Sequence, residues 1–118
     1  MNVHQPIPDA PVEEEDFFDM ANLRPKTTGL PMTVWVSYRG HARHDARVKV
    51  CQTPGDRMDV DDLAVVGIRP EPTLIEGTLD AANLKLVQQW IALNTETLIG
   101  YWDGEIDTAD MIQGLQRL

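Results

Sequence analysis

The hydrophobic pattern of this chain changes period once, and that change constrains the fold more than any other feature. From Met32 to Gly77, apolar residues come in short runs with two-residue alternation; from Asp80 onward they recur at helical spacing. Met32-Thr33-Val34-Trp35-Val36-Ser37-Tyr38 alternates and is rich in β-branched and aromatic residues, which predicts a strand. Arg47-Val48-Lys49-Val50-Cys51 alternates again, with Val48 and Val50 inward and the cations outward. With Gly40 as the pivot of the intervening turn, the two runs form an expected antiparallel hairpin. Thr53-Pro54-Gly55-Asp56 is a turn signal. Leu63 to Ile68 reads as a third strand, which Arg69-Pro70-Glu71-Pro72 breaks, and Thr73 to Gly77 as a short fourth.

Asp80 is then a helix N-cap candidate, and Leu84, Leu86, Val87, Trp90, Ile91 and Leu93 make a broad apolar face. Thr95 to Trp102 is either a second helix or a bent continuation, ended by Asp103-Gly104. Asp107 or Thr108 caps a last helix carrying Met111, Ile112, Leu115 and Leu118. Strands followed by helices, without alternation, predict an α+β fold. The expectation is a small antiparallel sheet of three to four strands, then two to three C-terminal helices packed on one face.

A chain of 118 residues fits one domain. The reading places it at 29–118, behind an acidic, proline-rich, flexible leader at 1–28, where Pro6, Pro8 and Pro11 oppose a helix. Within the leader, Glu13-Glu14-Glu15-Asp16-Phe17-Phe18-Asp19-Met20 sets apolar residues among carboxylates. Such a segment is either a solvated tail or a recognition element that folds against a groove.

The net charge of −9 is unevenly spread. Acids dominate both flanks, and eight of the ten Lys and Arg lie between Arg24 and Arg69. Overall acidity disfavours charge-driven nucleic-acid binding, which needs several cations facing phosphates. No apolar run reaches the roughly 18 residues of a membrane span. The single Cys51 allows neither an internal disulfide nor a cysteine zinc cluster, so the expected compartment is the cytoplasm.

Arg39, His41, Arg43, His44 and Arg47 concentrate three guanidinium forks and two imidazoles on the expected hairpin tip. They suit an anion or a protein partner, against the plainer reading of a solvated turn. As metal ligands His41, His44 and Asp45 are too few and sit on a loop, and no nucleophile is placed for catalysis. Asp56, Asp59, Asp61 and Asp62 lack the spacing of a calcium loop. No metal, cofactor or catalytic residue is therefore expected, and the chain reads as a non-enzyme. Trp35, Trp90, Tyr101 and Trp102 are a heavy aromatic load for one small core, so one of them is expected at an interface. Asp103, Glu105, Asp107 and Asp110 either cap helices or present a negative face to a basic partner.

Leu86-Val87, Trp90-Ile91, Leu93, Leu98-Ile99 and Trp102 form a Leu-Val-x-x-Trp-Ile helix and a second segment ending in Trp. Here the chain resembles the bacterial family called domain of unknown function 4160, loosely over 30–118 and more closely over 74–103. The resemblance implies a small α+β protein from toxin–antitoxin-like gene pairs, without assigned catalysis. It also implies a histidine-rich stretch at the second strand, where this chain has Gly40-His41-Ala42-Arg43-His44-Asp45 and lacks the family's prolines.

The leading expectation is a binding or regulatory protein, antitoxin-like, masking a basic surface of a protein partner. Its leader residues Glu13, Glu14, Glu15, Asp16, Phe17, Phe18 and Met20 would steer and anchor the contact. One alternative is a phosphate-mimicking inhibitor of a nuclease or effector complex. Another is a nucleic-acid binder that uses the basic hairpin 39–49, with Trp35 or Tyr38 stacking on bases.

Overall fold

The computed structural model describes residues 20–118. It is an α+β fold: one five-stranded antiparallel sheet followed by C-terminal helices. The strands are β1 (Met20–Leu23), β2 (Val34–Ser37), β3 (Arg47–Cys51), β4 (Leu63–Gly67) and β5 (Thr73–Glu76), and they lie side by side in chain order. A single helical turn, α1 (Pro25–Thr28), joins the first two strands. The long helix α2 (Ala81–Trp102) and the short helix α3 (Thr108–Gly114) follow the sheet.

The strand count is one above expectation, and the extra strand lies in the segment read as leader. Met20 pairs with Ser37, Asn22 with Trp35 and Leu23 with Val34, so the folded unit includes residues 20–28. The prolines that argued against a helix do not argue against a strand. Pro25 then occupies the first position of α1, where its missing N–H costs nothing.

Alternation sorts the strand residues onto two faces. Leu23, Val34, Val36, Val48, Val50 and Val66 face the helices and meet Val87, Trp90, Ile91, Leu98 and Met111 in one buried cluster. Each fully buried aliphatic side chain contributes about 1.5–3 kcal/mol. Asp80 caps α2, its carboxylate accepting from Asn83 N at 2.7 Å. Asp107 and Asp110 form a reciprocal capping box that starts α3. Between the two expected helical segments the bent continuation prevails: α2 runs through, with a non-helical Asn94 (φ −117°, ψ 16°) at its bend.

The expectation of one exposed large aromatic among four is corrected. Trp35, Trp90, Tyr101 and Trp102 are all 5% exposed or less. The helix-facing core accommodates only the last three; Trp35 lies on the other face of the sheet and outside that cluster. Among the aromatic side chains of the described residues, Tyr38 at 45% is the exposed one.

Candidate functional site

The loop between β2 and β3 carries the basic tip, and it is pinned to the C-terminal end of α2. Arg39 N donates to Trp102 O at 2.8 Å. The His44 ring stacks on Trp102, with centroids 5.6 Å apart and planes 29° apart, and its Nδ1 donates to Asp45 O at 2.9 Å. Tyr38 meets Tyr101 edge to face at 6.4 Å. Cationic side chains beside the last carbonyls of a helix are favoured by the partial negative charge there.

This anchoring decides what the five expected tip residues can do. Arg39, His41 and Arg43 are exposed on a turn closed by Ala42 N donating to Arg39 O at 2.8 Å. His44 is half-buried against Trp102. Arg47 belongs to β3, half-buried on the face opposite Val48, and so does not join the others. Its Nε is buried without a hydrogen-bond partner among the described residues.

Asp45 is held by Arg69 through both carboxylate oxygens, at 2.9–3.1 Å from Nε and Nη2. The Arg69 hydrogen bonds, then the Ala46 backbone N–H, hold the Asp45 carboxyl below its usual value. The same contact raises the Arg69 guanidinium. This ion pair ties the tip to the end of β4. It also places a carboxylate among the cations, which reduces the positive field available to a phosphate backbone.

On the other side of Tyr38 lies an open cleft of about 540 Å³, lined by Tyr38, Tyr101, Glu105, Ile106, Asp107 and Asp110, with Gly104 and Thr108. Tyr101 Oη and Thr108 Oγ1, both in its lining, share a hydrogen bond of 2.9 Å. Asp107 Oδ1 accepts from Asp110 N at 2.8 Å, and Asp110 Oδ2 accepts from Asp107 N at 3.4 Å. Each carboxylate keeps a second oxygen that capping does not use. Three carboxylates beside an exposed phenol ring suit a Lys or Arg side chain, through charge and through the ring face. Sequence reading singled out these acids as caps or as a negative face, and they are caps as well as cleft walls. It missed the arrival of Tyr38 beside them, for which no local signal exists.

The leader residues Glu13, Glu14, Glu15, Asp16, Phe17 and Phe18 lie outside the described residues, whereas Met20 is part of β1. Trp35, 4% exposed, offers no ring face for base stacking. Among the described residues no group of three or more His, Cys, Asp or Glu could hold a metal ion. No described helix is long and apolar enough to cross a membrane. Compared with family models, curated proteins and solved structures, the chain finds no significant match.

Proposed function

We propose that this chain is a small acidic binding or regulatory protein, antitoxin-like in kind, that masks a basic surface of a protein partner. The observation that carries the reading is the cleft at the end of α2. Glu105, Asp107 and Asp110 line it together with the exposed Tyr38. A cationic side chain entering it loses little hydration, gains up to three carboxylate contacts and lies against a π face. The net charge of −9 would add long-range steering of a basic partner. No catalytic step is assigned to the site, and no cofactor.

The phosphate-mimic alternative draws less support. Asp80 stands at the start of α2, whereas Asp103, Glu105, Asp107 and Asp110 stand beyond its end. The 22 residues of the bent helix α2 lie between these groups, up to about 33 Å of path. Mimicry of a nucleic-acid strand asks for carboxylates aligned along one face.

The test is a titration of ¹⁵N-labelled protein with a short arginine-rich peptide at low and at near-physiological salt. The expected result is shifts confined to Tyr38 and residues 104–110, weakened by salt and lost in a Glu105→Gln, Asp107→Asn variant. Asparagine still caps a helix, so that variant keeps its fold. Shifts spread evenly over every acidic residue, or unaffected by the variant, would overturn the reading. A stronger response to a DNA or RNA oligonucleotide, centred on Arg39 to Arg47, would replace it with the nucleic-acid alternative.

A further inference from the structure

Tyr38 stands between two sets of opposite charge. It lines the cleft together with Glu105, Asp107 and Asp110, and Arg39 follows it directly in the chain. The turn from Arg39 to Arg43 folds back onto the phenol ring: a Cβ on Gly40 would lie 3.6 Å from Tyr38 Cε2, and Ala42 N donates to Arg39 O. Arg39 N donates to Trp102 O, which fixes the turn to the helix end from which the acidic segment continues. None of residues 39–43 lines the cleft. The cations therefore flank the ring, and the carboxylates line the cleft beside it.

Neither set is neutralised among the described residues. The ion pairs there are Arg57–Asp59 and Asp45–Arg69. Asp45, the carboxylate beside the tip, is committed to Arg69 through both oxygens. Arg39 and Arg43 are exposed without an ion-pair partner, and so are Glu105, Asp107 and Asp110. The backbone clamp at Trp102 holds two complementary charge sets next to one another with neither satisfying the other.

We propose, resting on the cleft reading, that this end of the molecule takes a partner segment of mixed charge. A Lys or Arg side chain enters the cleft beside Tyr38, and an Asp or Glu a few residues away on the same segment meets Arg39 and Arg43. Charge complementarity selects this occupant. A polyanion is repelled by the net charge of −9 and by the acids next to the tip, whereas a segment with one charge of each sign meets its opposite on both sides of the ring. The guanidinium fork donates two parallel N–H groups to a carboxylate, which gives the second contact a direction. A purely basic segment fills the cleft but sets its remaining cations against Arg39 and Arg43, so the tip discriminates against it by repulsion.

The experiment titrates the ¹⁵N-labelled full chain at low salt with pairs of short peptides. Both members of a pair carry the same two adjacent arginines and differ at one position, Glu against Gln. That position is moved from one to three residues before or after the arginines, which covers about 3–10 Å of extended chain. At one spacing the Glu peptide is expected to bind about three- to five-fold tighter than its Gln partner, the size of an exposed ion-pair contact. Its amide shifts should extend from Tyr38 and residues 104–110 to residues 39–43. In an Arg39→Gln, Arg43→Gln variant the ratio of the two affinities should return to about one, with the Gln peptide still bound. Both side chains are exposed and the turn is held by backbone bonds, so the variant keeps its fold. A ratio near one at every spacing in the parent, or a gain that survives in the variant, would overturn the mixed-charge site and leave the cleft reading standing. Binding of neither peptide would remove both.

Discussion

Asn94 and Gln116 hold one another through two hydrogen bonds: Asn94 Nδ2 donates to Gln116 O at 3.0 Å, and Gln116 N donates to Asn94 Oδ1 at 2.7 Å. Asn94 Nδ2 also donates to Trp90 O at 3.0 Å, at the bend of α2. A side-chain amide thus acts as a strand partner for the C-terminal segment, which continues to Leu118 N donating to Thr28 O at 2.8 Å. The bend is where the helix trades regularity for this tether.

Asn94→Ala should therefore destabilise the fold by about 2–3 kcal/mol, because it leaves buried backbone groups unpaired. Urea unfolding measures the loss. Asn94 is 2% exposed, so water cannot easily replace the amide. Amide exchange at Gln116 and Leu118 should rise in step, since the tether and the tail release together. A loss below about 0.5 kcal/mol would show that the tail does not depend on this residue.

Gly77 and Gly104 make a matched pair for separating conformation from crowding. Both have positive φ, 82° and 77°. A Cβ on Gly77 would come within 2.6 Å of Ala64 Cα and 2.7 Å of Leu63 O, backbone atoms of β4, whereas one on Gly104 meets nothing within 4 Å. Gly104→Ala should cost about 1–2 kcal/mol from the left-handed backbone alone. Gly77→Ala should cost clearly more, because β4 and β5 have to separate. Equal penalties for the two would deny the close approach.

Acid should weaken the protein through a few identifiable carboxylates. Asp62 accepts hydrogen bonds from Thr53 Oγ1 and Gln52 Nε2, and these, Thr53 first, lower its pKa. Asp59 is lowered chiefly by its bond to Arg57, and Asp45 by its bonds to Arg69. For a carboxyl lowered in the folded state, the unfolded chain takes up protons first. Its stabilisation is thus complete above the unfolded value, near 3.8, and is lost as pH falls through the lower folded value. Urea midpoints should be flat from neutrality to about pH 5 and fall below that. Asp62→Asn should flatten the fall, and an unchanged pH profile would remove Asp62 from the account.

Tyr38 should matter to binding more than to stability, being 45% exposed. Tyr38→Phe keeps the ring face and should retain affinity for an arginine-rich peptide. Tyr38→Ala should lose about three- to ten-fold, the size of a partly exposed cation–π contact. Isothermal titration would check both variants. Equal affinities for Phe and Ala would mean that the cleft binds by carboxylates alone.

Much of this architecture is legible in local sequence, because the interactions that encode it span two to four residues. Arg47 to Cys51 reads as a strand from alternation alone, with Val48 and Val50 buried as expected. Asp80 and Asp107 read as helix caps because their partners, Asn83 and Asp110, are three residues on. The basic tip was legible as a composition, but not as a site. Arg47 is drawn away by strand alternation and His44 by its stack on Trp102, and a count of cations foresees neither.

What the tertiary structure alone decided lies in contacts between distant residues. Met20-Ala21-Asn22-Leu23 has no β-branched residue and no strand signal of its own; it is a strand because β2 offers an unpaired edge. Asn94 is a bend because of a carbonyl and an amide 22 residues away. Tyr38 becomes part of an acidic cleft because its loop docks on the end of α2. Alternation states that Trp35 opposes Val34 and Val36 but not which side receives the helices. That choice rests on the whole sheet: the helices pack on the face of Leu23, Val34, Val36, Val48, Val50 and Val66, and Trp35 is left on the other.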